Sequence, residues 1–117
     1  MKIAAVAYEM IHELPEAIRE AIADVQLRVM DAPTAEMVED LGIDRAEPGA
    51  FVQRGEDPMP LTEGMTEERP ERVIYLFAGN LQPATPARVR EVLAHEIAHA
   101  CGLDENEVRE SLGGVAA

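Results

Sequence analysis

The spacing of apolar residues divides the chain into helical and extended segments. Over residues 3–22, apolar side chains recur mostly at intervals of three and four, which is the period of an amphipathic helix. Pro15 interrupts this stretch, and because proline is well tolerated in the first turn of a helix, the pattern predicts two helical pieces. The segment Val25–Met30 instead alternates apolar and polar residues until Pro33, as a half-buried strand does.

The middle of the chain predicts less regular structure. Residues 34–42 open with a threonine and close with a glycine, which favours a short capped helix. Residues 44–70 carry several prolines and glycines and predict a long loop, with one short strand at 51–54. Loops of this length often border a functional site. The apolar run at 72–77 predicts a further strand.

The best-defined helix lies near the end of the sequence. Thr85 is its expected cap, Pro86 occupies the first helical position, and Gly102 is expected to end it in the left-handed conformation. One apolar stripe runs along it, formed by Val89, Leu93, Ile97 and Ala100. Asp104 then predicts the cap of a last helix that continues to about residue 112.

Composition narrows the class of protein. With 117 residues the chain is expected to form one domain spanning residues 1–117. A net charge of −13 argues against nucleic acid or an anionic membrane surface as partner, and it favours a solvated acidic surface that could attract cationic peptides. The single cysteine excludes a disulfide within the chain and suits a reducing cytoplasm.

The amino terminus and the longest apolar runs bear on targeting. The apolar run at residues 3–11 is interrupted by Glu9 and followed by His12, and no small-residue cleavage site follows, so we interpret it as structure and not as a signal peptide. No stretch approaches the roughly 18 apolar residues that a membrane span requires. We therefore expect a cytoplasmic protein.

The candidate chemistry is concentrated in the segment His-Glu-Ile-Ala-His at residues 95–99. On a helix, positions four apart lie on one face, so His95 and His99 should direct their imidazoles toward a common metal ion. Glu96 is then the candidate general base. A catalytic zinc needs a third protein ligand. Glu105 is favoured because Asp104 is expected to cap the last helix, and Asp104 is the fallback.

Two other interpretations compete with a catalytic zinc site. The histidines could hold a metal that only stabilises the fold, in a non-catalytic metal-binding or protein-interaction module, since binding of a structural metal is coupled to folding. Alternatively, the motif could be incidental in an acidic adaptor whose working surface is the loop at 44–70. His12 is expected to be a core or surface histidine, and Cys101 a small apolar residue that faces away from His99.

At this motif the chain resembles the minimal zincin-like metallopeptidases, a family of short bacterial proteins with the pattern HExxHxxGxxD. The resemblance implies that His95 and His99 bind Zn²⁺, that Glu96 is the catalytic acid/base, and that Gly102 permits the turn. The third ligand of that pattern falls on Glu105, where the family usually has aspartate.

The resemblance also carries expectations about fold and activity. It implies an α+β, minimal zincin-like fold in which a small mixed sheet packs on the zinc-binding helix. The expected function is that of a hydrolase that cleaves peptide bonds in a peptide or protein substrate. The substrate is expected to add as a strand along residues 73–77, and a partner protein could complete the cleft.

Overall fold

The computed structural model describes residues 2–54 and 71–111. Its elements are α1 (Ile3–Glu13), α2 (Glu16–Ala21), β1 (Val25–Met30), α3 (Ala35–Asp40), β2 (Gly49–Arg54), β3 (Glu71–Phe77), a 3₁₀ turn (Ala78–Asn80), α4 (Pro86–Cys101) and α5 (Glu105–Ser111). Over these two ranges, no helix combines the length and the apolar character needed to cross a membrane. Most of the predicted loop at 44–70, and the end of the predicted last helix at residue 112, lie outside the described residues.

The local signals at element ends act as expected. The chain breaks between α1 and α2 at Pro15, and β1 has the predicted bounds. The Oγ1 atom of Thr34 accepts a hydrogen bond from the backbone N–H of Met37 and caps α3. The helix break and the cap are local features, since the cap joins residues three apart in sequence. The bounds of β1 follow the alternation of its apolar and polar residues, although its hydrogen bonds go to the distant strand β3.

Three strands form a mixed sheet in the order β1-β3-β2. β1 runs parallel to β3, and β2 runs antiparallel to it, with Phe51 opposite Ile74. The described chain is therefore α+β, as predicted. The connection between the parallel strands includes α3 and β2, so the last strand in sequence lies at the centre of the sheet.

The central strand β3 contributes side chains to a core on each face of the sheet. Ile74 and Leu76 join the larger core, to which α1, α4 and α5 also contribute. Val73, Tyr75 and Phe77 form the smaller core with α3 and β2. Because successive side chains of a strand point to opposite faces, an uninterrupted apolar run is what a strand buried on both faces requires.

The expectation that a substrate adds as a strand along residues 73–77 is wrong. These residues belong to β3, which is paired with β1 on one side and with β2 on the other. Its backbone N–H and C=O groups are consequently used within the sheet, and it has no edge at which another strand could pair. The sheet edge nearest the motif belongs to β2, as the contacts of Gly49 and Phe51 show below.

Candidate active site

The helix α4 carries the motif on a well-defined framework. Thr85 Oγ1 accepts a hydrogen bond from the Arg88 backbone N–H at the start of the helix, and Pro86 is its first residue. At the other end, Gly102 adopts a left-handed conformation with φ 68°, and the backbone N–H of Leu103 donates to the Ala98 carbonyl oxygen. The chain therefore reverses immediately after the motif, as predicted.

The two histidines of the motif converge. The Nε2 atoms of His95 and His99 lie 3.0 Å apart, and their rings meet edge to face with centroids 4.6 Å apart. Two imidazole nitrogens that each lie about 2.0–2.1 Å from a tetrahedral zinc ion are about 3.3–3.4 Å from one another. The observed pair is thus close to the spacing that a shared zinc ion requires, and both side chains are accessible to solvent.

Glu96 lies in the same turn of α4 as His95, but its side chain faces the protein interior while the two histidines face solvent. Only 6% of the residue is exposed, and it is the buried charged residue of the described core. Burial raises the pKa of its carboxyl group from the usual 4.5 to about 7, with smaller contributions in the same direction from Glu47 and Glu105; His95 and a hydrogen bond from the Phe51 backbone N–H lower it. A carboxylate whose pKa lies near neutrality can both accept and release a proton.

The edge strand β2 supplies the hydrogen bond to Glu96. Just before β2, the Pro48 carbonyl oxygen accepts a hydrogen bond from the Phe77 N–H. The alternation of an antiparallel pair therefore directs the backbone groups of Phe51 away from β3. The Phe51 N–H donates to the Glu96 carboxylate at this outer edge. The edge of β2 therefore borders the motif.

Gly49 allows β2 to lie this close to α4. A β-carbon at this position would be 2.7 Å from Val92 Cγ1, 3.0 Å from the Tyr75 carbonyl oxygen and 3.5 Å from Glu96 Cγ. The first two distances are shorter than ordinary nonbonded contacts. A side chain here would separate the strand from the helix and the Phe51 N–H from Glu96.

The carboxylates after the turn have different positions. Asp104 Oδ1 accepts a hydrogen bond from the Asn106 backbone N–H at 2.8 Å, so Asp104 caps α5 as expected. Glu105 Oε2 lies 3.8 Å from His95 Nδ1, on the ring nitrogen opposite the one that converges on His99. Among residues 2–54 and 71–111, no three His, Cys, Asp or Glu side chains are grouped as a metal site.

The donor set nevertheless suits zinc in its chemistry. Two neutral imidazoles and a carboxylate are a common ligand set for a catalytic zinc ion. The contact of Glu105 with His95 Nδ1 also resembles the outer carboxylate that orients many metal-binding histidines. The geometry thus brings the Nε2 atoms of His95 and His99 together, buries Glu96 in the same turn of α4 and leaves Glu105 at the Nδ1 side of His95. The roles of these residues as ligands and base stay predictions.

Two features of this site were missed by sequence analysis. The Phe51 N–H is a backbone group that no residue pattern marks. Gly49 lies within the predicted loop at 44–70 but is the first residue of β2; a glycine in a strand is a known sign of close approach by another part of the chain. The uninterrupted apolar run at 73–77 could likewise have identified β3 as a central strand.

Comparison with known protein families places the chain in one of them. The family model described as zincin-like metallopeptidase matches residues 22–114, from the start of the sheet through the motif and α5. No curated protein shows significant similarity to the chain. The family match extends over most of the chain and includes the three strands, α4 and α5, so this chain belongs to the zincin-like metallopeptidase family.

Proposed function

We propose that the protein is a zinc-dependent peptidase whose site is formed by His95, His99, Glu96 and Glu105. The observation that carries the proposal is the convergence of the two Nε2 atoms, 3.0 Å apart, beside a buried carboxyl group. Burying a carboxyl group costs free energy, and titratable groups with raised or lowered pKa values are found preferentially at functional sites. Acid/base catalysis gives Glu96 such a use.

Each side chain has a defined task in this proposal. His95 and His99 would hold the zinc ion, which when bound supplies a Lewis acid that activates water and polarises a carbonyl group. Glu96 accepts the proton of the attacking water and passes it to the nitrogen of the leaving amine. Glu105 would be the third ligand.

The substrate peptide is proposed to lie along the outer edge of β2. The backbone groups that point away from β3 are those of Gly49, Phe51 and Gln53. Since the Phe51 N–H already interacts with Glu96, Phe51 would offer a peptide its carbonyl oxygen. An extended peptide can pair with such an edge through main-chain hydrogen bonds. Binding at this edge would place the peptide next to Glu96, because Phe51 itself contacts that carboxylate.

Zinc binding by purified variants tests the metal site. The wild type is expected to bind about one zinc ion per chain by elemental analysis and titration, and His95→Ala and His99→Ala are expected to abolish binding. Glu105→Ala tests the third ligand, with Asp104→Ala as the matched control for a carboxylate that caps α5. Equal losses in the two variants would argue against Glu105 as a specific ligand.

Glu96→Gln separates catalysis from metal binding. The glutamine keeps the size of the side chain and an oxygen that can accept from the Phe51 N–H, but it cannot transfer a proton. We expect Glu96→Gln to bind zinc like the wild type and to lose cleavage of an unfolded protein substrate by about 10²-fold or more. A zinc-loaded wild type without such activity would favour the non-catalytic metal-binding module.

A further inference from the structure

Arg72 connects three parts of the molecule beneath the motif. It lies on β3, and its side chain is 19% exposed. Nη1 donates to Asp24 Oδ1 at 2.7 Å and to the Ala21 carbonyl oxygen at 3.1 Å, and Nη2 donates to the Ala100 carbonyl oxygen at 2.7 Å. The guanidinium carbon also lies 5.9 Å from the centroid of the Phe51 ring.

The contact of Arg72 with Ala100 is made at the end of α4, next to the proposed ligand His99. Ala100 directly follows His99 in the last turn of α4, where carbonyl groups have no partner within the helix and the helix dipole favours a positive charge. The next residues, 102–104, are exposed and lead directly to Glu105. Arg72 therefore holds the start of the segment that brings Glu105 to the histidines.

The far end of this segment is held in a different way. Val108 on α5 is fully buried in the larger core. Gly102, between Ala100 and Val108, has a backbone conformation with a positive φ. α5 is thus anchored by Val108, and the Leu103 N–H is bonded to the Ala98 carbonyl oxygen. The hydrogen bond from Arg72 to Ala100 is a further contact, which fixes the Ala100 peptide group at the start of the turn.

We infer that Arg72 is a positioning residue for the metal site, which sets the path from His99 to Glu105 through its hydrogen bond to Ala100. This inference rests on the proposed function, in which His95, His99 and Glu105 are ligands. Arg72 itself would touch neither metal nor substrate. Substitution of residues that orient ligands commonly weakens metal binding by about 10–100-fold.

The chain offers a matched control for a merely structural effect. Arg90 lies on α4, the helix that carries the motif, and its Nη2 is 2.6 Å from Glu13 Oε2. The side chains of Arg90 and Glu13 are 21% and 45% exposed. Arg72 and Asp24 pair at 2.7 Å with side chains 19% and 45% exposed. Arg72→Met and Arg90→Met therefore remove similar ion pairs, but only the first removes a contact with the turn after His99.

The test measures zinc dissociation constants and amide hydrogen exchange of the full chain. Arg72→Met should weaken zinc binding about 10–100-fold, whereas Arg90→Met and Asp24→Ala should stay within about twofold of the wild type. Arg72→Lys is a second variant in case Arg72→Met does not fold, because lysine keeps the positive charge. One ammonium group cannot make both sets of hydrogen bonds of the guanidinium, so the zinc affinity of Arg72→Lys should lie between those of the wild type and Arg72→Met. In zinc-free protein, the amides of residues 102–108 should exchange faster in Arg72→Met than in Arg90→Met.

The outcomes separate the two proposals. Zinc binding by the wild type with equal affinity in Arg72→Met and Arg90→Met would overturn the positioning role and leave the proposed function intact. No zinc binding by the wild type would overturn the proposed function and, with it, the role of Arg72 toward a metal. Amide exchange in the turn that is no faster in Arg72→Met than in Arg90→Met would show that Arg72 does not fix this segment.

Discussion

Replacing Gly49 with alanine tests the close approach of β2 to α4. The added β-carbon would lie 2.7 Å from Val92 Cγ1 and 3.0 Å from the Tyr75 carbonyl oxygen, whereas carbon atoms attract one another best at about 3.5–4.0 Å. Within the described part of the chain, the glycines with positive φ are Gly42 and Gly102. Alanine at position 49 is therefore compatible with the backbone, and its effect is steric.

The size of the effect follows from what can move. Inserting a methyl group into a packed interior typically destabilises a protein by about 1–3 kcal/mol. Val92 is buried and β-branched on a helix, which restricts its rotamer, and the Tyr75 carbonyl belongs to the central strand. We expect the upper half of that range, reduced by about 0.4–1 kcal/mol because alanine restricts the unfolded chain. The net loss should be about 1–2.5 kcal/mol.

A double-mutant cycle identifies the contact responsible. Val92→Ala alone should lower the free energy of unfolding by about 2 kcal/mol through the cavity it leaves. In combination with Gly49→Ala it removes the Cγ1 methyl group, so the double variant should be about 1 kcal/mol more stable than the sum of the single losses predicts. Urea unfolding of zinc-free protein, followed by circular dichroism, measures all four stabilities.

Gly42→Ala is the control for a glycine effect without a clash. Gly42 has φ +68°, and a β-carbon there would meet nothing within 4 Å. Its loss should come from backbone conformation alone, about 1 kcal/mol, and should add to that of Val92→Ala. If Gly49→Ala is as stable as the wild type, or if its effect simply adds to that of Val92→Ala, then Val92 does not limit the space at Gly49 and β2 does not approach α4 as closely as described.

Two further predictions concern α4. The pKa of Glu96 is raised from 4.5 to about 7 in the folded chain. The folded state therefore loses stability as pH rises from 4.5 to 7, where the buried carboxyl group becomes charged, and this loss is absent below pH 4.5. After allowance for solvent screening, the free energy of unfolding of zinc-free Glu96→Gln, relative to the wild type, should be about 1–2 kcal/mol higher at pH 8 than at pH 4. An equal effect of Glu96→Gln in urea unfolding at both pH values would contradict this. Thr85 Oγ1 caps α4, so Thr85→Ala should lose about 1 kcal/mol in thermal unfolding while Thr85→Ser keeps most of the stability. Equal losses in the two variants would show that the hydroxyl group does not act as the cap.

The sequence by itself determined the features that depend on near neighbours in the chain. Helical periodicity and the caps at Thr34 and Thr85 located α3 and α4, because a helix is formed by hydrogen bonds over three or four residues. The same short range brings His95 and His99 together, since positions four apart on a helix always share a face. The convergence of the two histidines could therefore be predicted without knowledge of the fold.

Only the tertiary structure decided which strand borders the motif. Alternation of apolar residues identifies a strand and its buried face, but it does not name the neighbouring strands, because pairing joins segments far apart in sequence. The burial of Glu96, the close approach at Gly49 and the hydrogen bond from Arg72 to Ala100 all depend on how α4 packs on the sheet. Such contacts arise from side-chain volumes in three dimensions. A glycine in a strand can indicate a close approach, but only the fold shows that Gly49 lies against Val92 and Glu96.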